Sequence, residues 1–297
     1  MSIVIYKKWF FAFSSALVAA SIGAIAFFGL RFGIDFLGGT LWQVRFEDTA
    51  VTKDAVTSFF HDELDRSDAA VILEGDGSFL VRTLEITEAD HQAFSARLTT
   101  LGAFEDLRFE SVGASIGAEL RQRSLIAFGF VLLTISLYIA FVFRKVSYPV
   151  SSWKYGIVTL ITLFHDAVIP VGLLAVLGRY AGVEVGVDAV VAILVIIGFS
   201  VHDTIVVFDR IREHLRLVRG GSDFAALVGQ SIRETVARSI NTSLTLVLVL
   251  IALLVAGAPT LRPFILTILV GTVVGTYSSI CLASPFLISL QKGRRKA

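Results

Sequence analysis

The order of apolar and polar positions divides the chain before any single residue is weighed. Residues 10–30 carry no charged side chain. A bilayer core needs roughly 20 apolar residues in a helix, at about 1.5 Å of rise each. The pattern breaks off over 31–120, then resumes over 124–143, 155–178, 185–208, 239–261 and 264–288. Six membrane spans are therefore expected. The first follows Lys7 and Lys8, but it outruns the roughly 7–15 residues of a secretory signal core and reads as an uncleaved span.

Shorter periods rule the interruption. Residues 40–46 interleave Trp42 and Val44 with polar positions, as a half-buried strand does. Thr52 can cap a helix over 53–64, where Val56, Phe59, Phe60 and Leu64 recur at helical spacing. Strand-like runs at 69–73 and 78–84 flank Gly75-Asp76-Gly77, a hairpin signal. Thr87 with Asp90 reads as a capping box opening a helix to 101, and 104–110 supplies the last strand. The order β-α-β-β-α-β is that of a ferredoxin-like unit. The expected fold is a polytopic α-helical membrane protein with six transmembrane helices, plus one small α+β ferredoxin-like outer domain. Its parts are 1–30, 31–120 and 121–297. His61 and His91 fall in the outer domain's helices without a partner at ligand spacing and read as solvated.

Charge fixes the orientation. The 26 Lys+Arg and 25 Asp+Glu give only +1, but residues 31–120 hold 7 basic and 17 acidic side chains, a net −10 against +11 elsewhere. With the N-terminus inside, the inner side carries 15 Lys and Arg, among them Arg144, Lys145, Lys154, Arg219 and Lys292. The short outer loops carry two, Arg179 and Arg262. Positive charge stays in the cytoplasm, so both termini are expected there, with 31–120 periplasmic. A 55% hydrophobic, 17% charged composition excludes a disordered chain, a nucleic-acid-binding arm and an ordinary soluble enzyme. One cysteine, Cys281, excludes a disulfide framework and a multi-thiolate metal site.

The chemistry is in the polar residues left inside the spans, each of which costs at least about 2.5–3.5 kcal/mol there if charged. His165-Asp166 lies in span three and His202-Asp203 in span four. Span five enters from the cytoplasmic side with Arg238 at its start, so antiparallel pairing would bring Asp203 and Arg238 to one depth. Two readings stand evenly: a carboxylate that gains and loses a proton as its distance to the guanidinium changes, and a static ion pair. Pro170 frees the carbonyl of Asp166. His165 and Asp166 then form either a hydrated relay or a buried structural cluster, with the structural reading favoured. Gly271, Gly275 and Ser279 share one face of span six, which permits close helix approach. No His-Glu-x-x-His, Gly-x-Ser-Gly or phosphate-loop motif is present, so catalysis has no visible constellation.

Three motifs carry a resemblance. Residues 32–40, FGIDFLGGT, with Gly33, Asp35, Gly38 and Gly39, resemble the signature that SecD and SecF share. Residues 111–120, SVGASIGAEL, resemble their second signature, and 198–213, GFSVHDTIVVFDRIRE, are similar to the SecF form of the fourth-span motif. The resemblance runs from the first span to the last and implies the SecD/SecF family of the bacterial Sec export machinery, related to the resistance-nodulation-division transporters. It implies an inner-membrane subunit that pairs with SecD and associates with the SecYEG channel, other accessory Sec subunits and the translocating polypeptide. Protons would be the coupling ion, with no other cofactor. It maps the family's intramembrane carboxylate onto Asp203 and its fifth-span arginine onto Arg238, and it places His202 where the family often has Asn. The alternatives are a passive scaffold for the SecD–SecYEG assembly and, less in keeping with one small outer domain, a small-molecule exporter.

Overall fold

The computed structural model describes residues 6–145, 150–217 and 223–291. Arg219 and the basic residues beyond Gln291, which entered the charge count, lie outside them. The chain divides into two compact units, Phe32–Ser124 and the remainder.

Six helices are long and apolar enough to cross a membrane: α1 (Lys7–Phe28), α4 (Ala114–Val142), α5 (Ser152–Ala181), α6 (Val187–Leu217), α7 (Phe224–Ala256) and α8 (Arg262–Ser289). α8 passes through a wider π turn at Ser279–Ala283. α5 runs through Pro170 without a break. α6 outlasts its apolar run, and α7 begins well before residue 239. These extensions are amphipathic. Phe208, Ile211, Phe224, Leu227 and Ile232 join one buried cluster, while Arg210 pairs with Glu213 and Glu234 on the outside. Hydropathy alone marks where a bilayer would end, whereas the helix continues as long as one face is buried.

The smaller unit holds β1 (Gly39–Phe46), α2 (Lys53–Ser58, continued by a π turn at Phe59–Glu63), β2 (Ala70–Leu73), β3 (Phe79–Thr83), α3 (Glu88–Leu98) and β4 (Phe104–Val112). Strand order is β2-β3-β1-β4, every pair antiparallel, which is the ferredoxin-like arrangement. Thr52 caps α2 by accepting from the Ala55 amide. Thr87 and Asp90 form the expected reciprocal box on α3. Trp42, Val44 and Phe46 of β1 face the helices and pack on Val56, Phe59, Phe60 and Leu98.

Two signature segments meet inside this unit. After a single helical turn at Ile34–Leu37, Gly38 and Gly39 take φ of 78° and 120°. A Cβ on Gly38 would stand 2.7 Å from Ala114 Cα, and one on Gly117 2.9 Å from the Gly38 nitrogen. Glycine is required on both sides because two backbones touch.

Candidate functional site

The larger unit's polar side chains gather in two clusters. Asp166, on α5, has no solvent exposure. A carboxylate only accepts, so the His165 Nδ1–H donates to Asp166 Oδ1 at 2.8 Å. The Ser278 hydroxyl of α8 donates to Oδ2 at 2.7 Å, and the Ser200 hydroxyl of α6 donates to the same oxygen. Three helices thus converge on one side chain. A fourth is tied in nearby. The His165 ring lies 6.5 Å from that of Tyr277, whose hydroxyl bonds Ser14 Oγ and donates to the Phe10 carbonyl of α1, each at 3.2 Å. His165 Nε2 is buried and unpartnered among the described residues.

Asp203, 2% exposed, lies one turn along α6 from Ser200 and on the same side. Its neighbours are hydroxyls. Ser243 Oγ of α7 approaches Asp203 Oδ2 at 3.5 Å, and Ser239 and Thr276 lie beside the same carboxylate. Ser243 also bonds Thr276 Oγ1 of α8 and donates to the Ser239 carbonyl at 2.7 Å. α8 can come this close because it is lined with small residues. A Cβ on Gly271 would lie 2.3 Å from Ile196 Cδ1, and one on Gly275 2.9 Å from Ser200 Cβ. The close approach expected of Gly271 and Gly275 is present, and α6 is what they approach.

Among the described residues, Asp203 and Arg238 make no ion pair. Ser239 and Ser243 point at Asp203 from successive turns of α7. Arg238, one residue earlier, is rotated by about 100° and exposed. Its side chain joins Asn241, Thr242 and Thr245 in an exposed polar stripe at helical spacing. His202, next to Asp203 on α6, is likewise exposed and close enough to act on the Asp203 carboxylate electrostatically. Apart from His165 and His202, the side chains beside Asp166 and Asp203 are ones that charge-based reading passes over: Ser200, Ser239, Ser243, Thr276 and Ser278. A signal for the α7 face existed, since Ser231, Thr235, Ser239 and Ser243 recur every four residues.

A family model described as protein export membrane protein SecD/SecF, C-terminal, matches residues 93–293, and one described as the SecD/SecF GG motif matches 23–50. The chain belongs to the SecD/SecF family. The paired glycines of the second model are Gly38, whose backbone meets α4, and Gly39, which abuts the Thr83 carbonyl of β3. Among SecD/SecF relatives, the protein translocase subunit SecF of Thermobaculum terrenum is 39% identical, over 97% of this chain and 93% of that protein. SecF of Anaerolinea thermophila is 36% identical, over 96% and 92%. The crystal structure of Thermus thermophilus SecDF, a translocon-associated membrane protein, superposes with a TM-score of 0.81 at 32% identity, covering 97% of this chain and 38% of that one. The chain therefore spans well under half of the fused SecDF, and stands as a multi-pass membrane protein of this family.

Proposed function

We propose that the chain is the SecF-type subunit of the bacterial Sec translocase, working with SecD at the SecYEG channel and using the proton motive force to promote export across the cytoplasmic membrane. The observation that carries this reading is Asp203, an almost fully buried carboxylate inside a membrane helix, beside hydroxyls and the titratable His202 and with no Lys or Arg against it among the described residues. A charge so placed is costly unless neutralised, and a bound proton neutralises it. Ser243 suits the exchange, because a hydroxyl both donates and accepts. With Asp203 ionised, the Ser243 proton turns to the carboxylate. With Asp203 protonated, Ser243 accepts from it and keeps its own bond to the Ser239 carbonyl. Each proton thus re-arranges the contact of α6 with α7 and α8.

The exposed stripe of Arg238, Asn241, Thr242 and Thr245 supports a partner helix at this surface. An unshielded guanidinium in a span favours a partner that offers a carboxylate. The fusion of the two subunits in Thermus thermophilus SecDF supports SecD as that partner. Arg238 then acts as the fixed charge of the interface and Asp203 as the carrier. His165 and Asp166, with three donors on the carboxylate, take the structural role of locking α5 to α6 and α8. The 31–120 segment is placed in the periplasm, where its movement would act on exported polypeptide.

Asp203→Asn keeps the shape and removes the proton. In a reconstituted SecD–SecYEG assembly, gradient-dependent precursor export is expected to fall to the level seen without a gradient, with complex formation unchanged. Intact gradient-driven export by an assembled Asp203→Asn complex would leave only the passive scaffold.

A further inference from the structure

His91 was expected to be solvated, and it is not. Its side chain is only 13% exposed. The ring stacks on Phe109 of β4, with centroids 3.8 Å apart and planes at 14°. It meets the Trp42 ring of β1 at 4.8 Å, edge to face. His91 Nε2 lies 2.9 Å from Asp106 Oδ2, and the other oxygen of that carboxylate accepts from Trp42 Nε1–H at 3.1 Å. His91 Nδ1 is buried without a hydrogen-bond partner, yet stands 3.8 Å from Glu88 Oε1 one turn back on α3. Asp106 sits beside the β-bulge, where the register shifts between Gln43 and Val44. One imidazole therefore ties helix α3 to edge strand β4 and to the most deeply buried ring of the sheet.

The charged groups within ion-pair distance of this ring are Glu88 of its own helix and Asp106 of β4. β1 presents a neutral indole, and Phe109 adds no charge. A neutral imidazole has one N–H and satisfies Asp106 alone. A second proton gives Nδ1 a donor directed toward Glu88 and turns the Asp106 contact from a neutral donor on a carboxylate into an ion pair. We propose that His91, Asp106 and Glu88 form a proton-operated latch that fastens α3 to β4, tightening as the pH around this unit falls. The latch follows from the fold of the unit alone. Its bearing on export rests on the periplasmic placement above, since that side is acidified when the proton gradient builds.

Two readouts on the full chain in nanodiscs test it. In a Trp9→Phe/Trp153→Phe background, Trp42 is the sole tryptophan, and a protonated imidazole at its edge quenches indole emission. Emission is expected to drop as pH falls from 8 to 5, and His91→Gln should abolish the drop. Hydrogen exchange in α3 and β4, compared at matched intrinsic rates, should slow about threefold or more over the same interval, as expected when the hydrogen bond gains an ion pair. His91→Gln and Asp106→Asn should both remove that slowing. Emission that still titrates in His91→Gln, or exchange in α3 and β4 that does not respond to pH, overturns the latch. Neither result bears on Asp203, so the proton-coupling reading stands or falls separately.

Discussion

Asp76 is the smallest-scale case of charge shaping this chain. It sits at the tip of the β2–β3 hairpin, where Ser78 donates through its hydroxyl at 2.6 Å and its amide at 3.1 Å. Arg45 adds a 2.6 Å ion pair. The Ser78 bonds, and then Arg45, hold the Asp76 carboxyl at about 2, against about 3.9 for an unfolded chain. A carboxylate depressed on folding stabilises above its unfolded value and loses that contribution as pH falls through the folded one. Asp76→Asn should therefore speed hydrogen exchange across the hairpin at pH 5–7, and the difference from the parent should narrow below about pH 4, be mostly gone at pH 2 and vanish by about pH 1. A gap that persists unchanged to pH 2 would mean that shape, not charge, orders the turn. The Gly-Asp-Gly pattern made this turn legible in the sequence. The latch residue His91 was not, because its partner Asp106 is on strand β4, and a helix-to-strand contact depends on how α3 packs on the sheet.

At the scale of elements, helix contacts are set by what is missing from side chains. Gly172 of α5 is a case against backbone: a Cβ there would lie 2.6 Å from Ser21 Cα of α1. Backbone cannot swing aside as a side-chain tip can. Gly172→Ala should push α1 from α5 and destabilise by about 1–3 kcal/mol, the usual range for overpacking. Gly23→Ala, on α1 itself, meets nothing within 4 Å and should be neutral or gain up to about 1 kcal/mol of helix propensity. Thermal unfolding of the two variants in one detergent checks the contrast, and equal losses would refute it. Small residues in the spans advertised such approaches. The identity of the partner helix was hidden, as was the failure of Arg238 to reach Asp203. Both depend on helix rotation, and one residue of offset turns a side chain by about 100°. The serines and threonines that do meet the two buried carboxylates cost too little in a span to stand out by hydropathy.

Across the whole molecule, one asymmetry organises everything else: an acidic unit in the middle of a chain whose remaining charge is basic. Trp9 near the start of α1 and Trp153 near the start of α5 are exposed, as interfacial rings are. By the expected topology both lie at the cytoplasmic interface, with Lys7, Lys8 and Lys154 beside them. Exposed Tyr180, near the end of α5, falls at the opposite one. The rings mark the two interfaces without choosing between them; charge bias alone favours one orientation, with the −10 unit outside, where the positive-inside rule puts no obstacle to crossing. Single cysteines decide it. With Cys281, the only native cysteine, replaced by serine, exposed Glu74 in the β2–β3 turn and exposed Arg216 at the end of α6 are each changed to cysteine. A membrane-impermeant maleimide added to intact spheroplasts should label Glu74→Cys within minutes and leave Arg216→Cys unmodified until the membrane is opened. The reverse pattern would place the acidic unit in the cytoplasm. It would then detach that unit from exported polypeptide, and remove the gradient's outer pH as the signal that His91 could feel.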